Sequence, residues 1–80
     1  MICKILSTEV AETYENVSSV SLPGWLGNFE ILTNHAESFQ LLKKGTVRVR
    51  WKGKKEVLKE IDGGSSYCNK NTILIMLGSK

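Results

Sequence analysis

The sequence predicts a small all-β protein: an antiparallel β-sandwich of two packed sheets, filling residues 1–80 as a single domain. Three observations carry that prediction. Apolar and polar residues alternate through most of the chain, as half-buried strands require. Turn residues recur every several positions, which is the spacing of a sandwich or barrel. No window of helical length carries apolar residues at i, i+3, i+4 and i+7 between caps.

Ile2 to Leu6 reads as the first strand and Ala11 to Asn16 as a second, after the polar turn at Ser7-Thr8-Glu9. Val17 to Leu22 and Asn28 to Leu32 form a hairpin around Pro23-Gly24 and Gly27. Proline lacks a donor and glycine accepts positive φ, so Pro23-Gly24 is expected to stop the strand. The hairpin presents Trp25, Leu26, Asn28 and Phe29 at or near its tip, and large apolar groups there call for a partner surface. Thr33 to Ser38 is a loop holding the only histidine, His35. Phe39 to Lys43 re-enters a strand. From Thr46 to Lys52, Val47, Val49 and Trp51 occupy one face and Arg48, Arg50 and Lys52 the other. Lys52-Gly53-Lys54 turns the chain and Glu56 to Ile61 returns antiparallel, because the turn is too short for a crossover. Gly63-Gly64 interrupts, Ser65 to Cys68 is short, Asn69-Lys70-Asn71 turns, and Thr72 to Leu77 is apolar on both faces. That last pattern predicts either a central strand buried in the sandwich, the simpler reading, or one that covers a neighbouring subunit.

Eighty residues with a formal charge of +3 make a modest core. No apolar run approaches the roughly 18 residues of a membrane span, and the first six residues turn polar too soon for a signal peptide. Cys3 and Cys68 have no C-x-x-C spacing and sit in apolar company, which predicts buried reduced thiols. Eight of the eleven basic residues fall between Lys43 and Lys59. A solvated basic hairpin face is the simple reading of that cluster; a small basic β-barrel binding single-stranded nucleic acid is the alternative. The alternative needs stacking aromatics among the cations, and Trp51 alternates away from Arg48 and Arg50.

The chain lacks G-x-S-x-G, a phosphate-binding glycine loop and a zinc-ligand set. No catalytic residue, metal or cofactor is expected, and the reading is of a binding protein rather than an enzyme.

Gly24, Gly27, Phe29, Ile31, Leu32, His35 and Ala36 follow the order G-x-x-G-x-F-x-I-L-x-x-H-A. Leu41 to Val49 (LLKKGTVRV), Asp62-Gly63-Gly64 and Asn71 to Leu74 (NTIL) follow at fitting separations. This ordered set resembles the amino-terminal β-sandwich domain of the F-type ATP synthase epsilon subunit, called delta in mitochondria. Three positions depart from the family pattern: Glu30 and Asn34 replace glycines and Thr33 replaces proline. The resemblance implies a non-catalytic central-stalk subunit of the rotor, linking gamma to the membrane c-ring for proton-driven ATP synthesis. It implies gamma and the c-ring as partners, with no nucleic acid, no small-molecule substrate and no direct insertion into the membrane. It also implies a peripheral position on the cytoplasmic face of a bacterial inner membrane, or the matrix or stroma side in an organelle. Carried over by position, Trp25, Asn28, Phe29 and His35 face the c-ring, and Ser7, Phe39, Gln40 and Leu42 face gamma. Family members commonly continue into a helical hairpin that restrains hydrolysis and holds an ATP site in some relatives. The sequence reaches only Lys80, so neither hairpin nor ATP site is expected here.

Overall fold

The computed structural model describes residues 1–33, 36–53 and 55–78. Among these, the chain forms nine strands: β1 (Ile2–Leu6), β2 (Ala11–Tyr14), β3 (Ser19–Gly24), β4 (Gly27–Leu32), β5 (Ser38–Leu42), β6 (Gly45–Arg50), β7 (Glu56–Ile61), β8 (Gly64–Asn69) and β9 (Thr72–Leu77). Hydrogen-bonded neighbours run β2-β1-β9-β8-β5-β3-β6-β7, with β4 on the other edge of β3. The path folds into two layers, β2-β1-β9-β8-β5 and β4-β3-β6-β7. They join where β5 passes into β6 and only Gly24 pairs with Leu42.

The core is what the alternation dictates. Cys3 and Ile5 of β1, Val20 and Leu22 of β3, Val47 and Val49 of β6, and Ile73 and Ile75 of β9 point inward and are fully buried. Each such aliphatic side chain contributes roughly 1.5–3 kcal/mol by leaving water. β9 lies between β1 and β8; Ile73 and Ile75 fill the core, while its second apolar face, with Leu74 and Met76, is on the outer side of the sheet, where Met76 is 40% exposed. Cys3 and Cys68 are free and buried, as expected. Both pair with Ile73, from opposite sides of β9. Two strand spacings separate them, about 9–10 Å, beyond the ~7 Å reach of a disulfide.

Two expectations are corrected. The fold is not wholly antiparallel: β1 and β9 pair in parallel. A parallel pair needs a long connection, and these strands come from opposite ends of the chain. Nor does Pro23-Gly24 end β3, which runs through both residues. Lys43 N–H donates to the Pro23 carbonyl (2.9 Å), so the proline backbone faces β5 and not β4. Its missing donor falls at the seam where pairing passes from β6 to β5. Proline is tolerated there because no ladder bond is lost.

The Lys70-Asn71 turn between β8 and β9 has positive φ at both residues (51° and 64°), the conformation that suits a two-residue hairpin. Gly64 holds a close approach: a Cβ there would lie 2.2 Å from the Met76 carbonyl oxygen, at φ 152°.

Candidate functional site: an apolar tip and flank

The β3–β4 turn has only two residues, Trp25 and Leu26, and neither has positive φ. Gly27 takes that conformation instead, at φ 133°. The turn is held from beneath. Trp25 N–H donates to the Leu41 carbonyl (3.1 Å), and the Phe29 ring packs so closely over Gly24 that a Cβ would sit 2.9 Å from it. Trp25 is therefore 65% exposed and Leu26 fully exposed, on a braced turn. Such bracing lowers the ordering cost of any contact the tip makes. Asn28 is exposed beside them. Phe29 is half-buried against the core, so it serves more as the floor of the tip than as its point. His35 lies outside the described residues.

Glu30, where the family has glycine, sits in a regular strand. The register passes through Ser21↔Glu30 without a bulge, and the carboxylate reaches Arg50 at 3.8 Å.

The second predicted set divides. Phe39 is 59% exposed on the outer face of the first sheet. Gln40 is exposed and opens into a notch that it shares with Gly24, Leu26, Asn28 and Phe29. Ser7 Oγ is engaged within its own turn, accepting from the N–H of Val10 (3.0 Å) and of Glu9 (3.3 Å). Leu42 is a correction: it is 2% exposed, inside the core. Residues three apart on a strand lie on opposite faces, so Leu42 points away from Phe39. Leu41, 57% exposed, shares the Phe39 face and was missed. The strand's own period was the signal that would have found it.

Register extends that face. The row through Phe39 continues across Tyr67 and Leu74 to Lys4, and the row through Leu41 across Ser65 and Met76 to Leu6. The outer face of the first sheet is thus mainly apolar. Tyr67 donates to the Glu37 carboxylate, and that hydrogen bond pushes its phenol pKa up.

The outer face of the second sheet differs. Arg48 and Arg50 meet Glu56 at 3.7 and 3.5 Å, and Thr46 Oγ1 donates to Glu60 (2.6 Å). Its guanidinium charges are answered within the sheet, which does not favour a phosphate-binding surface. Trp51, the aromatic nearest these cations in sequence, is occupied elsewhere. Its indole N–H donates to the Glu15 carbonyl (2.7 Å), its ring meets Tyr14 edge-on at 5.7 Å, and Lys55 lies over it at 5.0 Å.

Among the described residues, no three His, Cys, Asp or Glu side chains converge on a metal site. Burial pushes the Cys3 thiol up to about 12, and raises Cys68 for the same reason. No helix among the described residues is long and apolar enough to cross a membrane.

A β-sandwich with a braced apolar tip and an adjoining apolar flank defines a protein-binding module. The chain belongs to the family described as the ATP synthase delta/epsilon chain, β-sandwich domain, whose pattern matches residues 1–79. It is 37% identical over 62 residues to the ATP synthase epsilon chain of Campylobacter concisus (strain 13826), covering 78% of this chain and 48% of that one. Identity to the epsilon chain of Campylobacter curvus (strain 525.92) is 36% over the same length, with the same coverage. The chain therefore spans about half the length of these curated relatives.

Two solved structures share the fold. One is a chain of the Euglena gracilis mitochondrial ATP synthase (OSCP/F1/c-ring), with a TM-score of 0.82 at 20% identity, covering 94% of this chain and 48% of that chain. The other belongs to the central stalk/c-ring of the Tetrahymena thermophila enzyme, with a TM-score of 0.79 at 13% identity, covering 98% and 63%.

Proposed function

We propose that this domain is a non-catalytic part of the central stalk of an F-type ATP synthase, joining gamma to the c-ring in the rotor. The observation that carries the reading is the family match along residues 1–79 together with the exposure of the motif's own tip. In this reading Trp25, Asn28 and His35 face the ring, with Phe29 supporting them. Phe39, Leu41 and Gln40 face gamma, and Ser7 flanks them. The domain works by holding two partners in fixed relation, so its chemistry is burial and shape, and bond-making belongs to other subunits. It sits peripherally on the membrane face that carries the synthase head: cytoplasmic in a bacterium, matrix or stroma in an organelle.

An exposed aromatic that becomes a hot spot, buried at the centre of an interface, contributes about 2 kcal/mol or more to binding. Phe39→Asp is therefore expected to weaken capture of this chain by purified gamma at least tenfold while leaving its thermal unfolding unchanged. Undiminished capture by gamma would remove Phe39 from the interface.

A further inference from the structure

The outer face of the second sheet is hollow beside the tip. Val20 and Leu22 of β3 point into the core, so Ser21 and Pro23 point outward. Register sets Ser21 between Glu30 of β4 and Arg48 of β6. A short side chain flanked by two long ones leaves a groove of about 560 Å³. Lys43 and Lys44, on the turn from β5 to β6, also line it, and that turn is pinned against β3. Lys43 N–H donates to the Pro23 carbonyl (2.9 Å), and a Cβ on Gly45 would lie 2.7 Å from the Pro23 Cβ. Asn28 and Phe29 line both this groove and the notch beside Leu26, so the groove adjoins the tip.

Three cations, Lys43, Lys44 and Arg48, line the groove against one carboxylate, Glu30. The arginine is already shared, since Arg48 reaches Glu56 at 3.7 Å. Glu30 is likewise drawn to Arg50, at 3.8 Å. Lys43 and Lys44 form no ion pair among the described residues. Two ammonium groups on adjacent residues repel each other, and an anion beside both relieves that repulsion. A concave site admits a protruding side chain and not a flat lipid surface. Glu30 in its wall opposes a continuous run of phosphates. Phe29, the aromatic beside it, is half-buried against the core and offers no free stacking face to a base.

We infer that this groove receives a carboxylate: an Asp or Glu side chain on a loop of the partner protein that covers the tip. Charge complementarity selects the group, and continuity with the exposed Trp25 and Leu26 selects a protein to carry it. The acid pairs with Lys43 and Lys44, and Ser21 and Asn28 supply a hydroxyl and an amide as further donors. Arg48 stays with Glu56, so the two lysines set the preference for an acidic loop. This deepens the proposed function and rests on it: there, the subunit over the tip is the ring. The contact is charge-steered, so salt weakens it.

The test reverses the charge. Lys43→Glu/Lys44→Glu and Lys43→Gln/Lys44→Gln are compared with Lys52→Glu/Lys70→Glu, which changes net charge as much as the first pair but lies outside the groove. All four lysines are exposed, so thermal unfolding should not move. Binding to c-ring-containing complexes is read by co-sedimentation at low and high salt. Reversal at Lys43 and Lys44 is expected to weaken binding at least about tenfold, while Lys52→Glu/Lys70→Glu stays within about threefold of wild type. The glutamine pair should fall between them and lose most of the salt dependence. Carbodiimide coupling of the wild-type complex should join Lys43 or Lys44 to an Asp or Glu of the partner, as read by mass spectrometry. Reversal that binds like Lys52→Glu/Lys70→Glu overturns the inference, as does a bound wild-type chain whose Lys43 and Lys44 cross-link to no partner carboxylate. So does capture of the wild-type chain, but not the reversed one, by vesicles of equal parts phosphatidylglycerol and phosphatidylcholine, because lipid phosphate would then be the anion. If the reversed chain does not fold, the cross-link decides alone. A wild-type chain that does not bind the complexes at all sinks the central-stalk reading itself, and the acidic loop with it.

Discussion

The two open sides of the sandwich have been finished differently. On the β2/β7 side the sheets are clasped: Lys59 meets Glu12, Tyr14 donates to Glu12 at 3.0 Å, and Trp51 packs on Tyr14 and bonds to Glu15. Polar ends and rings there have partners within the chain. On the β4/β5 side the notch stays open, one edge of β4 has no strand partner among the described residues, and Trp25, Leu26, Phe39 and Leu41 stand in water. A small domain has little stability to spare. Single apolar groups, Val10 and Leu58, are exposed on the clasped side as well, but the contiguous apolar patch lies on the open side, and such patches mark contact surfaces. The proposed function assigns assembly to the open side and leaves the clasped side to hold the fold.

Removing the aromatic half of the clasp is expected to have the largest effect on stability. Trp51→Ala removes a half-buried ring, its hydrogen bond and its contact with Tyr14, and should cost about 2–4 kcal/mol. Chemical denaturation measures this. The fraction that remains folded should still bind gamma with wild-type affinity, because no partner surface has changed.

Gly24→Ala tests the brace under the tip. The added methyl would lie 2.8 Å from the Gly27 carbonyl oxygen and 2.9 Å from the Phe29 ring. Overpacking of this kind costs about 1–3 kcal/mol. Unlike Trp51→Ala, it should also weaken assembly, since the tip must shift. Trp25→Ser goes further in that direction. It should change stability by no more than about 0.5 kcal/mol yet release the domain from the assembled ring, as read by co-sedimentation with c-ring-containing complexes.

Alkaline pH probes the core that both sides share. The Cys3 thiol is raised from 9.0 to about 12 by burial, so the folded state holds its proton more tightly than the unfolded state. That contribution is complete below pH 9 and is lost as pH climbs toward 12. Stability should therefore fall across that window, and Cys3→Ala should flatten the fall. The thiol reagent DTNB at pH 8 should label neither cysteine until the chain unfolds. The smallest effect belongs to Lys59→Met. The Lys59–Glu12 pair is part-exposed, and such pairs contribute about 0–1 kcal/mol.

The sequence made some of this arrangement visible. β1, β7 and β9 are found at the residues where alternation puts them, because one buried face leaves little freedom of register. The apolar tip was legible from Trp25 and Leu26 lying between two glycines. Other features were not legible because they depend on partners distant in the chain. The passage of β3 through Pro23 depends on which edge the missing donor faces. The parallel β1–β9 pair and the Lys59–Glu12 clasp join segments with no local signal of contact. For Leu42 the strand period overrides the position carried over from the family: three residues from Phe39, its side chain points into the core.

A structure of the assembled central stalk containing this chain, solved by electron cryo-microscopy, tests the division most directly. The expected result is protein density against Trp25 and Phe39, with the Trp51–Tyr14 and Lys59–Glu12 clasp facing solvent. Partners seated on the β2/β7 side, with the tip left bare, would contradict it.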